Sequence, residues 1–183
     1  MRKIVLAMFV SLDGYIEGPQ GLIPPAWSAD LQEHWSDANL AMASAVLYGR
    51  ACYEDMASYW QSPGADPAIS KKLAALPKYV LSSSLQQVSW ANTSILRNIE
   101  SSLAELKSQP GGDVVAFGGA SLARNLMKRD LVDEFRLMVT PDVFGGGKSL
   151  FAGNDIRLRL AMLSSRAMDT GAVILHYRRV TQA

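Results

Sequence analysis

Three short stretches of the chain each end an apolar run in residues suited to phosphate. In Val114-Val115-Ala116-Phe117-Gly118-Gly119-Ala120-Ser121-Leu122, two glycines lead from a strand-like run into a helix-like one. Such a junction aims free backbone N–H groups and the positive end of a helix at one point, where an anion is stabilised. Paired glycines let that backbone approach a pyrophosphate with no Cβ in the way, although the same pair also serves an ordinary tight turn. In Leu47-Tyr48-Gly49-Arg50-Ala51-Cys52 a strand again stops at glycine, and Arg50 offers a planar, permanently charged fork suited to a phosphate monoester. In Tyr79-Val80-Leu81-Ser82-Ser83-Ser84 the run ends in hydroxyls that either donate to phosphate oxygens or close a polar turn. Ligands of open α/β sheets bind at strand ends, so one extended nucleotide is the economical occupant of all three.

The elements that must position these residues are legible as short apolar runs. Residues 4–10, 45–48, 78–81 and 113–117 are strand-length and apolar on both sides, which suits a buried, mainly parallel sheet. Between them, residues 29–43 carry Leu31, Trp35, Ala38 and Met42 at helical spacing, and 50–59, 69–76, 99–107 and 121–128 are further helices. Towards the end, 134–140 reads as a strand, and 157–168 with 172–180 as two long strands joined around Asp169-Thr170-Gly171, an antiparallel hairpin. The sum is one α/β domain over residues 1–183, without repeats or a linker.

The composition narrows the class of partner. With 183 residues, 49% hydrophobic, 19% charged and a net charge of +1, the chain is neither disordered nor a basic nucleic-acid binder. No apolar stretch reaches the roughly 20 residues that cross a bilayer, and the apolar start reads as a first strand rather than a signal peptide. One cysteine, Cys52, and two histidines supply no disulfide and few soft metal ligands. A soluble, cytoplasmic protein acting on a small molecule, without nucleic acid, membrane or metal, is the expectation.

The opening Ser11-Leu12-Asp13-Gly14-Tyr15-Ile16 carries a more specific signal, together with Gly118-Gly119-Ala120-Ser121-Leu122 running through Leu131-Val132-Asp133-Glu134 to Pro141, and Gly145-Gly146-Gly147-Lys148-Ser149-Leu150-Phe151. From Ile4 to Tyr177 the chain resembles the dihydrofolate reductase-like superfamily, and within it stand-alone relatives of the reductase domain of the bifunctional riboflavin biosynthesis deaminase-reductase. The resemblance implies a three-layer α/β/α fold and an oxidoreductase using NADPH to reduce a pterin-like, aminopyrimidine-like, carbonyl or imine substrate. A non-catalytic NADP-binding protein on the same fold is the alternative. The resemblance further implies that Gly49, Arg50, Ser82 and Ser83 meet the adenosine 2′-phosphate end. Gly118, Gly119, Ala120, Ser121 and Leu122 would hold the pyrophosphate, with a cis peptide between the glycines. Cys52 stands where that family usually has a threonine, and a thiol is the weaker donor. It reads either as an activated thiol or as a small buried residue.

On the substrate side a hydride acceptor needs a proton source. Asp13, Glu17, Asp30 and Glu33 are the candidate acids in the first half of the chain. The resemblance places Asp30 near the family's substrate-binding acid, while an acidic helix start explains it too. Asp13 either borders the nicotinamide or braces the turn at Gly14. Trp27, Trp35, Tyr53 and Tyr59 are candidates to line a flat pocket, and Gly145 to Lys148 to wrap a substrate phosphate. A homodimer through the last two strands is expected, because their apolar edge would otherwise be an association hazard.

Overall fold

The computed structural model describes residues 2–22, 25–151 and 157–180. Eight strands form one sheet. In chain order they are β1 (Ile4–Ser11), β3 (Ala43–Gly49), β4 (Lys78–Leu81), β5 (Thr93–Leu96), β6 (Asp113–Ala116), β7 (Glu134–Thr140), β9 (Leu160–Ala167) and β10 (Val173–Arg179). Across the sheet they run β5-β4-β3-β6-β1-β7-β10-β9, parallel from β5 to β7 and antiparallel at β10 and β9. β2 (Tyr15–Glu17) and β8 (Lys148–Ser149) form a separate two-stranded ribbon.

The central strands are apolar on both sides because helices cover both. Ile4, Leu6 and Met8 of β1 pack with Leu103 and Leu106 of α5 (Ile99–Ser108) and with Leu122, Ala123 and Leu126 of α6 (Ala120–Lys128). Val5 and Ala7 face Leu31 and Trp35 on the opposite side. There, too, α3 (Arg50–Trp60) and α4 (Pro67–Ala75) pack Tyr53, Ala57, Ile69 and Leu73 on Val46, Tyr48 and Val80. The expected mainly parallel, three-layer sheet with its antiparallel C-terminal hairpin is the observed fold.

One difference from the sequence reading has a physical cause. The single helix expected over residues 29–43 is α1 (Ala29–Leu31), a π-helical turn over Gln32–Asp37, and α2 (Ala38–Met42). The wider turn shifts the buried stripe by one residue, so that Asn39 rather than Ala38 follows Trp35 into the interior. Arg136 of β7 donates to the His34 carbonyl in that turn at 2.8 Å. β9, meanwhile, begins at Leu160 rather than Arg157.

Asp133, just before β7, ties together the end of the sheet away from the strand C-termini of β1, β3 and β6. Its carboxylate accepts the Ile4 N–H at 2.8 Å and the Lys107 ammonium at 2.6 Å, and its carbonyl accepts the Arg179 N–H at 2.9 Å.

Lys78 opens β4 fully buried, with its ammonium donating to the carbonyls of Leu73, Leu76 and Ala74 at 2.7, 2.8 and 3.3 Å. These carbonyls end α4; that of Ala74 also accepts the Asn92 side-chain amide at 3.0 Å, while those of Leu73 and Leu76 would otherwise lack partners. Burial pushes the ammonium down to about 8. Lys78→Met is expected to strand the Leu73 and Leu76 acceptors and lower stability by about 2 kcal/mol. In a calorimetric scan this is a fall in Tm of roughly 4–8 °C.

Candidate active site

A cleft of about 420 Å³ opens at the C-terminal ends of β1, β3 and β6. Its lining divides into two parts. One consists of helix starts: Gly49, Arg50, Ala51 and Cys52 at α3, and Gly119, Ala120, Ser121 and Leu122 at α6. The other is mostly apolar and includes Phe9, Trp35, Met56 and Phe117.

The helix starts differ from others in the molecule. α1, α4 and α5 begin at Ser28, Asp66 and Asn98, whose side chains accept first-turn N–H groups. α3 and α6 begin at Gly49 and Gly119 with no side-chain cap. Both uncapped ends line one cleft, so their unpaired N–H groups and positive dipole ends are available to an anion. The Gly49 N–H donates to the Gly118 carbonyl at 3.1 Å and locks the two junctions together. The Gly118–Gly119 peptide is cis, as the resemblance implies. The backbone donors and missing Cβ atoms fit a pyrophosphate.

Two guanidiniums add charge. Arg50 and Arg124 both line the cleft, and neither side chain bonds another described residue. The sequence reading missed Arg124. Its signal is the spacing Ala120–Arg124, one helical turn, which sets it on the face that begins at the glycine pair.

Cys52 lies with its thiol 3.6 Å from the Phe117 carbonyl, and burial pushes that thiol up to about 12. This environment favours the small-buried-residue reading over an activated thiolate.

Ser82 directly follows β4, the neighbour of β3, but neither Ser82 nor Ser83 lines the cleft. The Ser82 hydroxyl accepts the Ser84 and Leu85 N–H groups at 3.2 and 3.0 Å, while Arg97 donates to the Ser82 carbonyl at 2.8 Å.

The two carboxylates favoured from sequence both stand outside the cleft lining. Asp30 joins the first helix to the β9–β10 turn: it accepts the Asp169 N–H at 3.2 Å and Arg166 at 3.3 Å. The Asp169 amide, with Arg166, holds its carboxyl below the ordinary value. Asp13 accepts the Ser11 hydroxyl at 2.6 Å and the Phe144 and Gly145 N–H groups at 3.1 and 2.8 Å. The Ser11 hydroxyl leads in lowering its carboxyl, with those amides adding to it.

The carboxylates that do line the cleft are Glu17 and Asp55. Glu17 is paired with Lys148 across the ribbon at 2.7 Å. Asp55 forms no hydrogen bond or ion pair with another described residue. The sequence reading passed over it, although Ala51, Cys52, Asp55 and Met56 share one helical face. Of the four aromatic candidates only Trp35 lines the cleft. Trp27 and Tyr59 are exposed, and the Tyr53 hydroxyl accepts the Ser89 and Trp90 N–H groups.

Comparison with known proteins gives a consistent picture. Residues 2–174 match the family described as the RibD C-terminal domain. The uncharacterized protein YyaP of Bacillus subtilis is 32% identical over 96% of this chain and 94% of its own length. A Shewanella protein named as a candidate riboflavin biosynthesis protein superposes with a TM-score of 0.78 at 20% identity, covering 98% of this chain and 99% of that one. Dihydrofolate reductase from Enterococcus faecalis, solved with NADP(H) and RAB-propyl, does so at 0.65 and 14% identity, covering 97% and 96%.

Proposed function

Since this chain belongs to the RibD C-terminal domain family, a family of reductase type, we propose that it is an NADPH-dependent reductase of a small heterocyclic, carbonyl or imine substrate. The observation that carries the proposal is the pair of uncapped helix starts, with Arg50 and Arg124, on one cleft. Gly49, Gly119, Ala120, Ser121 and Leu122 would hold the pyrophosphate through the backbone, and Arg50 with Ser82 and Ser83 the 2′-phosphate end. When bound, the cofactor supplies a hydride. The chain's own groups shape the rest: Phe9, Trp35, Met56 and Phe117 hold a flat ring and exclude water, and Asp55 holds or relays a proton at its carboxylate.

The structural commitments of Asp13 and Asp30 favour one second reading, a protein that binds NADP without turnover. Oxidation of NADPH followed at a panel of dihydropterin, aminopyrimidine and carbonyl acceptors tests this. Turnover with any of them supports the reductase, and tight binding with none turned over supports the second reading.

NADPH is expected to stabilise the protein more than NADH, because only NADPH offers the additional phosphate to Arg50. At about 100 times the dissociation constant the stabilisation is roughly 2.7 kcal/mol. Equal thermal shifts with both cofactors at matched concentrations would refute the assignment of Arg50.

We also propose a homodimer through the C-terminal strands. β9 is an edge strand with Met162 56% and Leu163 46% exposed, an apolar edge that a second copy would cover. Light scattering across a dilution series should give twice the chain mass at micromolar concentration. A monomer mass throughout removes the proposal. No helix among the described residues is long and apolar enough to cross a membrane.

A further inference from the structure

Arg136 stands in the middle of β7, on the sheet face that Leu31, Trp35 and Met138 make apolar. Its register partners are Ala7 of β1, which lines the cleft, and His176 of β10. One terminal nitrogen donates to the His34 carbonyl at 2.8 Å, while its Nε is buried without a partner. No carboxylate among the described residues pairs with it. Glu134, two residues earlier on the same face, is held by Lys3 and His176 at 2.7 and 2.8 Å. Asp30, on the covering helix, is held by Arg166 and the Asp169 N–H. Burial pulls the guanidinium below its ordinary value. A cation left in this way costs stability, so packing alone does not account for it.

What it holds is the ring wall of the cleft. The π-helical turn over Gln32–Asp37 carries Trp35, and turns of this kind are rare and concentrate at functional sites. Arg136 bonds the carbonyl of the residue just before Trp35 and stands 5.9 Å from the centre of its indole. Phe9 meets the same indole at 5.4 Å between centroids, and both rings line the cleft. Arg136 itself does not line it. The wall is therefore held in place from within the protein, and the charge behind it reaches a ligand across the indole rather than across water.

We infer that Arg136 is a positioning residue, which fixes Trp35 in the cleft wall and biases that wall against a cationic ring. This rests on the reductase reading and deepens it. Oxidation turns a nicotinamide ring from neutral to cationic, and a ring held in the apolar part of the cleft feels Arg136 with little solvent between them. The guanidinium thus disfavours the oxidised cofactor relative to the reduced one, and so assists its release.

Three variants separate position from charge. Arg136→Lys keeps the charge and a donor for the His34 carbonyl, Arg136→Gln keeps a donor without the charge, and Arg136→Met loses both. Position is read from the indole N–H signals of the ligand-free protein in a nitrogen–proton correlation spectrum, where Trp35 is assigned by its loss in Trp35→Phe. Arg136→Met should displace the Trp35 signal and leave those of Trp60 and Trp90, which pack on Met56 and Lys78, in place. Charge is read by calorimetry as the ratio of the NADP⁺ to the NADPH dissociation constant. Arg136→Gln and Arg136→Met should each lower that ratio by about fivefold, and Arg136→Lys should keep it within about twofold of wild type. A Trp35 signal unmoved in Arg136→Met, or a ratio unmoved in Arg136→Gln, overturns the inference while leaving the reductase reading standing. Wild-type protein that binds neither nucleotide overturns both. Should Arg136→Met fail to fold, the ratio in Arg136→Gln decides alone.

Discussion

Replacing both Arg50 and Arg124 by alanine is expected to weaken NADPH binding by about a thousandfold. A hydrogen bond to a charged group contributes about 1.5–3 kcal/mol, which is on the order of 10- to 100-fold for each guanidinium. Neither side chain is engaged by a described residue, so its removal leaves no internal partner stranded, and the loss should appear in binding rather than in folding. The single variants separate the roles. Arg50→Ala should abolish the preference for NADPH over NADH, because Arg50 starts the helix after β3, next to the Ser82 end of β4. Arg124→Ala should weaken both cofactors alike, because it lies one turn into the helix that begins at the glycine pair. Calorimetry with each cofactor reads both effects. A double variant within threefold of wild type would separate the cleft from the nucleotide altogether.

The second large effect is expected at Gly147. Its φ is +117°, and a Cβ there would lie 2.1 Å from the Glu17 carbonyl oxygen and 2.9 Å from the Gly18 carbonyl carbon. Both atoms are backbone, so no side chain can swing aside. An alanine must push β8 off β2, which loses the Glu17–Lys148 pair and opens one side of the cleft. Adding left-handed strain of about 1–2 kcal/mol to that overlap, we expect Gly147→Ala to lower stability by about 3 kcal/mol or more. The matching fall in Tm is roughly 6–12 °C. Unchanged Tm and unchanged cleavage of the loop by protease would show that the ribbon tolerates the displacement. Gly145, two residues earlier, also has positive φ, yet a Cβ there meets nothing within 4 Å. Gly145→Ala is the control for strain alone.

What the sequence revealed follows from which forces are local. The strands that build the sheet centre were legible because burial on both faces leaves continuous apolar runs, as in Ile4–Val10. β5 was not: it is an edge strand beginning Thr93-Ser94 and only partly covered, so its pattern resembles a loop. β2 and β8, of three and two residues, are too short to carry any period. The phosphate-suited junctions were legible because a glycine in place of a capping residue is itself a local signal. The carboxylates were not, because an acid's role depends on what reaches it from far along the chain. Asp30 has every local mark of a helix start, and its partners Arg166 and Asp169 lie 136 and 139 residues away. Asp55 has no such partner among the described residues. It acquires significance only when Phe9, Trp35 and Phe117, from three other elements, close round the same space.

The knot of bonds at Asp133 has a practical side. Ile4 and Arg179 are both held by this one residue, at the end of the sheet opposite the cleft. A label or a solid support attached beside either of these two residues therefore sits at the end of the sheet away from the cleft, and immobilised protein should retain free access to its ligands.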